Sequence, residues 1–199
     1  FSTLQKRHEM LLRELELNAP TAPSIYRDVI ALTRDAAGRL QMGGDGDVVE
    51  WVLWMHRFNT ADELDKVAAR GALDDPLSRT LGKVIAQYHS RNKVCTDKPS
   101  ADLIRAILDE LNTAFATMTD QLEGGQIDQF HAASGPAYRH ALADLNTRSD
   151  AGHVRRCHGD LHLRNIVLID GVPTPFDALE FDETLGTSDV LYDLAFLLM

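Results

Sequence analysis

Apolar residues recur at helical spacing near the start of the chain. At 100° per residue Leu4, Leu11, Leu12 and Leu15 share one face, while Glu9 and Glu16 share the other. Ser2 with Gln5 three residues later forms a capping box, so a helix is predicted over residues 2–18. Glu14 breaks the pattern, because it falls between Met10 and Leu17 on the flank of the apolar side. It reads either as a partly exposed surface carboxylate or as a buried-side carboxylate waiting for a cation.

Residues 25–41 hold short apolar stretches such as Val29-Ile30-Ala31-Leu32, broken by Asp35 and Gly38. Gly43-Gly44-Asp45-Gly46-Asp47 reads as a turn. The run Val48-Val49-Glu50-Trp51-Val52-Leu53-Trp54-Met55 reads as a largely buried strand. Past residue 60 the period returns to that of a helix. Leu77, Leu81, Val84, Ile85 and Tyr88 form one stripe, and Ile104, Ile107, Leu108, Leu111, Phe115, Met118 and Leu122 form another. Both are expected in the core. Gly124-Gly125 and Gly135-Pro136 are expected to punctuate the helical part. The chain therefore divides near residue 58 into a small sheet part, 1–58, and a helical part, 59–199.

Between residues 157 and 177 the pattern changes again. Ile166-Val167-Leu168-Ile169 and Val172-Pro173-Thr174-Pro175 flank Asp170-Gly171. Asp-Gly between two apolar runs predicts a hairpin with a type I′ turn, which needs positive φ at both central residues. Ile169 then faces Val172, Leu168 faces Pro173 and Ile166 faces Pro175. Both prolines fall at positions that donate nothing to the ladder. Carried one step further, the register sets Asn165 opposite Phe176 and Arg164 opposite Asp177, with Asp160 just upstream.

That register converts a pattern into candidate chemistry. One amide oxygen and two carboxylates meet at the open end of the ribbon. Hard oxygen donors suit Mg²⁺, which takes few protein ligands and completes its shell with phosphate and water. A carboxylate that stays off the metal can orient a hydroxyl and accept its proton. Phosphoryl transfer with magnesium is the reaction this set fits. A zinc site from His153, Cys157, His158 and His162 is the weaker alternative, because structural zinc uses well-separated ligand pairs. Cys157 beside an apolar strand carries no sign of an activated thiol.

Composition removes other classes. The 199 residues are 44% apolar and 25% charged, ordinary for a chain with a real core. A net charge of −10 argues against nucleic acid and is compatible with a cationic substrate. The two cysteines are too few for a disulfide framework, which points to a reduced, cytoplasmic setting. No apolar run is long enough for a membrane span. Phe1 at one end and the apolar run 194–199 at the other suggest a chain cut at both ends.

His158-Gly159-Asp160 followed by Asn165 resembles the catalytic loop of the protein-kinase-like superfamily, with the pattern H-x-D-x-x-x-x-N. Gly159 in His158-Gly159-Asp160-Leu161-His162 makes the likeness one to the aminoglycoside phosphotransferase branch. Phe176-Asp177 occupies the place of its metal-binding aspartate, and Asp189-Val190-Leu191-Tyr192-Asp193-Leu194-Ala195 resembles its following helix. The stretch 176–182 resembles a bacterial subgroup often fused to a P-loop ATP-binding domain.

This resemblance implies an α+β, protein-kinase-like fold with a partial N-lobe and a mainly helical C-lobe. It implies Asp160 as the catalytic aspartate and Asn165 and Asp177 as Mg²⁺ ligands. ATP or GTP would be the phosphate donor and a small-molecule hydroxyl the acceptor. Glu14 would be the ion-pairing acid of the helix, Met55 and Phe58 would lie at the nucleotide base, and His158 and Asp193 would support the catalytic loop. Helix 81–89 resembles the long helix below the hinge. The Gly-rich loop and phosphate-binding Lys of the family do not occur in these residues, and Arg164 stands where Gly is common. Asp120, Glu123 and Asp128 are candidates for an acidic wall toward an amine-bearing acceptor. The alternative is a non-catalytic, nucleotide-binding regulatory module of a larger protein.

Overall fold

A computed structural model describes residues 2–118 and 124–199. Helix α1 spans Leu4–Asn18. Its cap is Thr3, whose hydroxyl accepts from the Lys6 amide, and not Ser2; Gln5 turns along the helix to Glu9. Strands β1 (Tyr26–Arg34), β2 (Leu40–Met42) and β3 (Asp47–Met55) form an antiparallel sheet in the order β2-β1-β3. Gly43 takes φ +69, as the turn before β3 requires.

The run in β3 is only half covered, against the expectation of a buried strand. Helix α1 lies on the sheet, where His8 stacks on Trp51 at 3.6 Å between ring centroids and Arg7 pairs with Glu50. Trp54 is 48% exposed, so the second face lacks an equivalent cover among the described residues. A continuous apolar run predicts burial only where both faces are packed.

The helical part begins with α2 (Leu64–Ala69) and α3 (Asp75–Arg91), which Asp74 caps. The first stripe behaves as the spacing predicts, with Leu81, Ile85 and Tyr88 buried. The second lies on α4 (Ser100–Thr117), and there none of the described stripe residues is buried; Leu122 lies outside the described residues. Helix α5 (Gly124–Asp150) packs alongside, with Phe115 edge-on to Phe130 at 5.2 Å. The two helices shield one another and little else, which explains the partial burial. Gly135-Pro136 does not end a helix, since α5 runs through Pro136. A proline there removes one backbone hydrogen bond, a cost of roughly 3 kcal/mol that the flanking turns outweigh.

Strand β4 (Val154–Arg156) pairs with β7 (Thr187–Asp189), and β5 (Ile166–Ile169) pairs with β6 (Val172–Pro175). Helix α6 (Val190–Leu198) follows, capped by Asp189, which also takes a two-pronged ion pair from Arg148. One core gathers Leu64, Val67, Leu81, Ile85, Leu161 and Ile166. A second joins Ala22, Ile25 and Tyr26 to Val167, with Leu53, Met55, Phe58 and Phe176 against it. The residues before position 58 thus share their core with the β5–β6 hairpin. Among the described residues no helix is long and apolar enough to cross a membrane.

Candidate active site

The hairpin has the predicted register at every position: Ile166 with Pro175, Val167 with Thr174, Leu168 with Pro173 and Ile169 with Val172. Asp170 and Gly171 both take positive φ, +51 and +78. The ladder ends one step beyond, where the Phe176 amide donates to the Asn165 carbonyl at 3.0 Å. Here the extrapolated register stops. Arg164 lies in a short 3-10 turn, Leu163–Asn165, is exposed, and faces Asp65 at 3.9 Å. Asp177 leaves the strand with φ +63.

Asn165 is 8% exposed, and its Nδ2 donates to both the carbonyl (3.0 Å) and the carboxylate (3.1 Å) of Asp160. His162 Nε2 stands 3.4 Å from the same carboxylate. The amide nitrogen of Asn165 is therefore committed to Asp160, which leaves its oxygen as the atom for a cation. The Asp160 side chain is half exposed, so its carboxylate is open to solvent. The donor set fits Mg²⁺: one amide oxygen, on Asn165 before β5, and one exposed carboxylate, on Asp177 after β6, at the two ends of the same hairpin.

Two polar braces hold this loop. Asp193, 1% exposed, accepts from the His158 amide (3.2 Å), the Gly159 amide (2.8 Å) and His89 Nε2 (2.8 Å). Gly159 is required on two counts. Its φ is +83, and a Cβ would lie 3.1 Å from Leu179 Cβ and 3.3 Å from Gly186 Cα. The His158 ring donates from Nε2 to the Phe176 carbonyl at 2.9 Å, and its Nδ1 has no hydrogen-bond partner. Burial pushes this imidazole well below the usual histidine range, so the ring is neutral.

Arg156 is the second brace. Its buried guanidinium donates to the carbonyls of Cys157, Gly186 and Leu179 and to Glu183.

The remaining expected residues come in from the sheet part. The Asp177 amide donates to Tyr26 Oη at 3.0 Å, and the Ala178 amide to Asn18 Oδ1 at 2.8 Å. Glu14 is half-buried on the inward side of α1. Its carboxyl is lifted from 4.5 to about 7, first by burial and then by the negative charges of Glu180 and Asp177. Glu14 is thus partly exposed and lies on the inward flank of α1. Phe58 meets Phe176 edge-on at 5.1 Å. Met55 pairs with Tyr26 on the sheet, and the next amide, His56, donates to Ile25 O at 2.7 Å.

The four residues of the zinc alternative are not brought together. Among the described residues the convergent trio is His89, Cys157 and Asp193, all buried. The Cys157 thiol is pushed up to about 12, chiefly by burial, and donates to the Ser188 carbonyl. The hydrogen bonds already counted account for that trio. Asp120 and Glu123 of the acidic wall lie outside the described residues, and Asp128 is exposed on α5.

Sequence reasoning missed Asn18, Tyr26 and Arg156. Asn18 had a signal, since it closes the stripe of Leu4, Leu11 and Leu15 with a polar group at a core position. The other two act only through contacts across the fold.

No family model matches the chain, and no solved structure matches it. It is similar to the uncharacterized proteins Rv2004c of Mycobacterium tuberculosis and Mb2027c of Mycobacterium bovis, at 25% identity over 210 residues in each case. The match takes in the whole of this chain and 39% of each relative, so the chain spans well under half the length of the proteins it resembles.

Proposed function

We propose that this chain carries the catalytic part of a small-molecule kinase of the aminoglycoside-phosphotransferase type, with a protein-kinase-like arrangement of its parts. The observation that carries the reading is the Asn165–Asp160 hydrogen bond at the mouth of the β5–β6 ribbon, one backbone bond away from Asp177. Asp160 orients the acceptor hydroxyl and takes its proton. The hydroxyl oxygen bonds to the γ-phosphorus of ATP or GTP as the bond to the β,γ-bridging oxygen breaks, and the nucleoside diphosphate leaves. Asn165 and Asp177 would hold Mg²⁺, which when bound neutralises charge on the phosphates. Most of the acceleration comes from positioning and charge stabilisation.

In this reading Met55 and Phe58, which pack with Phe176 on the second core, would meet the base. The Glu14 carboxyl faces Asp177 and Glu180 and would serve a cation at the phosphates. His158 and Asp193 fix the loop that carries Asp160.

The test is Asp160→Ala in the full-length protein, with magnesium and ATP and a panel of hydroxyl compounds. Turnover should fall by about 10²–10⁴, the usual share of a general base. Nucleotide affinity should stay within about twofold, because Asp160 lies off the metal in this reading. Turnover near that of the unchanged protein would reject Asp160 as the base. Nucleotide binding with no consumption by either protein would favour a regulatory module instead.

A further inference from the structure

A cavity of about 190 Å³ opens between α4, α6 and the stretch after Asp177. Leu103 and Ile107 of α4, Leu179, and Phe196 of α6 form its walls. Gly159 lines it as well, and Gly159 directly precedes Asp160. Its size is somewhat above the roughly 150 Å³ that holds a benzene molecule in a protein interior. Among the described residues lining it, Glu110 is the one acidic side chain, and Tyr192 adds a phenol. The Tyr192 phenol is raised by burial and by the negative charge of Glu110, so the two groups feel one another across the cavity.

We propose that this cavity is the acceptor pocket and that its substrate is an apolar-bodied primary alcohol carrying a single positive charge. The proposal rests on the kinase reading for the role of Asp160, and it adds the chemistry of the acceptor. Thr184, Thr187 and Ser188 add a few hydroxyls to the lining, but a polyhydroxylated, polycationic sugar would still have to leave most of its polar groups against Leu103, Ile107, Leu179 and Phe196, which disfavours binding. An apolar ring or chain of benzene size loses nothing there. Its amine finds Glu110, and its hydroxyl points toward the loop of Gly159 and Asp160. An ion pair next to an apolar wall is screened less than one in open water.

The experiment uses three probes that share a benzyl alcohol body, on the full-length protein. They are 4-(aminomethyl)benzyl alcohol, benzyl alcohol and 4-(hydroxymethyl)benzoate, with glucosamine as the polar comparison. Binding is read by calorimetry without nucleotide, so it does not depend on phosphoryl transfer. The expected order is amine, then neutral alcohol, then carboxylate, with about tenfold between the extremes. Glucosamine should not bind.

Glu110→Gln should erase the charge preference while benzyl alcohol binds as before. Ile107→Trp should fill the cavity and abolish binding of all three probes. Mg·ATP affinity should be unchanged in both variants, which shows that they are folded. A flat charge series, an order that survives Glu110→Gln, or probe binding that survives Ile107→Trp overturns the pocket. Selective binding of the amine with no phosphorylated product leaves the pocket standing and refutes the kinase reading instead.

Discussion

Asn in place of Asp193 isolates the brace beneath Asp160. The native carboxylate serves three donors, two on Oδ2 and one on Oδ1, in a site that is 1% exposed. Asparagine has the same shape but one acceptor oxygen. If that oxygen stays on the Gly159 amide, the new NH₂ faces the His158 N–H, and a buried donor is orphaned. If the side chain flips, the Gly159 N–H is orphaned instead. His89 adapts by moving its proton to the other ring nitrogen, so its loss is smaller.

One orphaned amide costs about 1–3 kcal/mol, and losing charge assistance on the remaining bonds adds about 1–2 kcal/mol. The sum, about 2–5 kcal/mol, overlaps the roughly 3–5 kcal/mol that breaking a buried charged pair usually costs. It is a large part of a domain's total stability of about 5–15 kcal/mol, yet it leaves a folded protein to measure. Urea unfolding followed by circular dichroism should show the midpoint falling with an unchanged slope. A loss below about 1 kcal/mol would refute the brace, because no isosteric swap at a site with three buried donors can be that mild.

Three further outcomes follow from the same geometry. The Glu14 carboxyl is raised from 4.5 to about 7, so the folded state binds the extra proton between those values and stability falls as pH rises through that window. Glu14→Gln should remove the slope and stabilise the protein at pH 8 by about 1–2 kcal/mol, a figure reduced for the half-exposure of the group; equal unfolding midpoints for the two proteins at pH 8 would contradict it. Gly171→Ala meets no atom within 4 Å and pays only for φ +78, about 1 kcal/mol, whereas Gly159→Ala adds contacts at 3.1 and 3.3 Å and should cost about 2–4 kcal/mol; comparable thermal shifts for the two would show that the close approach is not real. Cys157 should resist iodoacetamide at pH 8 while the half-buried Cys95 reacts, so mass spectrometry should find one adduct on the native protein and two on the unfolded one.

The hairpin could be read from sequence because its information is local. Two residues, Asp170 and Gly171, force the turn, and the turn forces each pair up to Ile166 and Pro175. Extrapolation failed one residue past the ladder, at Arg164, since hydrogen-bond alternation predicts nothing once the strand curls into a 3-10 turn. The β3 run misled for a different reason. Hydrophobicity records what a strand prefers to touch, and only the packing of α1 on one side shows how much of it is met. The neighbour of Arg156 is another cation, Arg155, and nothing next to Arg156 in the sequence marks it for burial. Its burial depends on Gly186, thirty positions later, where a Cβ would lie 2.2 Å from the guanidinium. No window of sequence holds both halves of that fit.

These long-range contacts have one consequence for the site. Three residues of α1 reach the stretch that begins at Asp177: Asn18 holds Ala178 by hydrogen bonds, Glu14 faces Glu180 and Asp177 as charge, and Arg13 pairs with Glu183. Glu183 also takes Arg156, whose other bonds end on Gly186, on Cys157, just before the loop of Asp160, and on Leu179, a wall of the cavity. A small rotation of α1 therefore cannot leave Asp177 and Leu179 where they are. It must break the Arg13–Glu183–Arg156 chain or carry the stretch with it. The ion pairs are half exposed and individually weak. The buried carbonyl contacts of Arg156 are not, because stripping a guanidinium of its partners inside the fold leaves an uncompensated charge. The loop after Cys157 and the Leu179 side of the cavity are thus joined through Arg156, while α1 is tied to them by the buried Asn18–Ala178 bond and by ion pairs that salt can loosen.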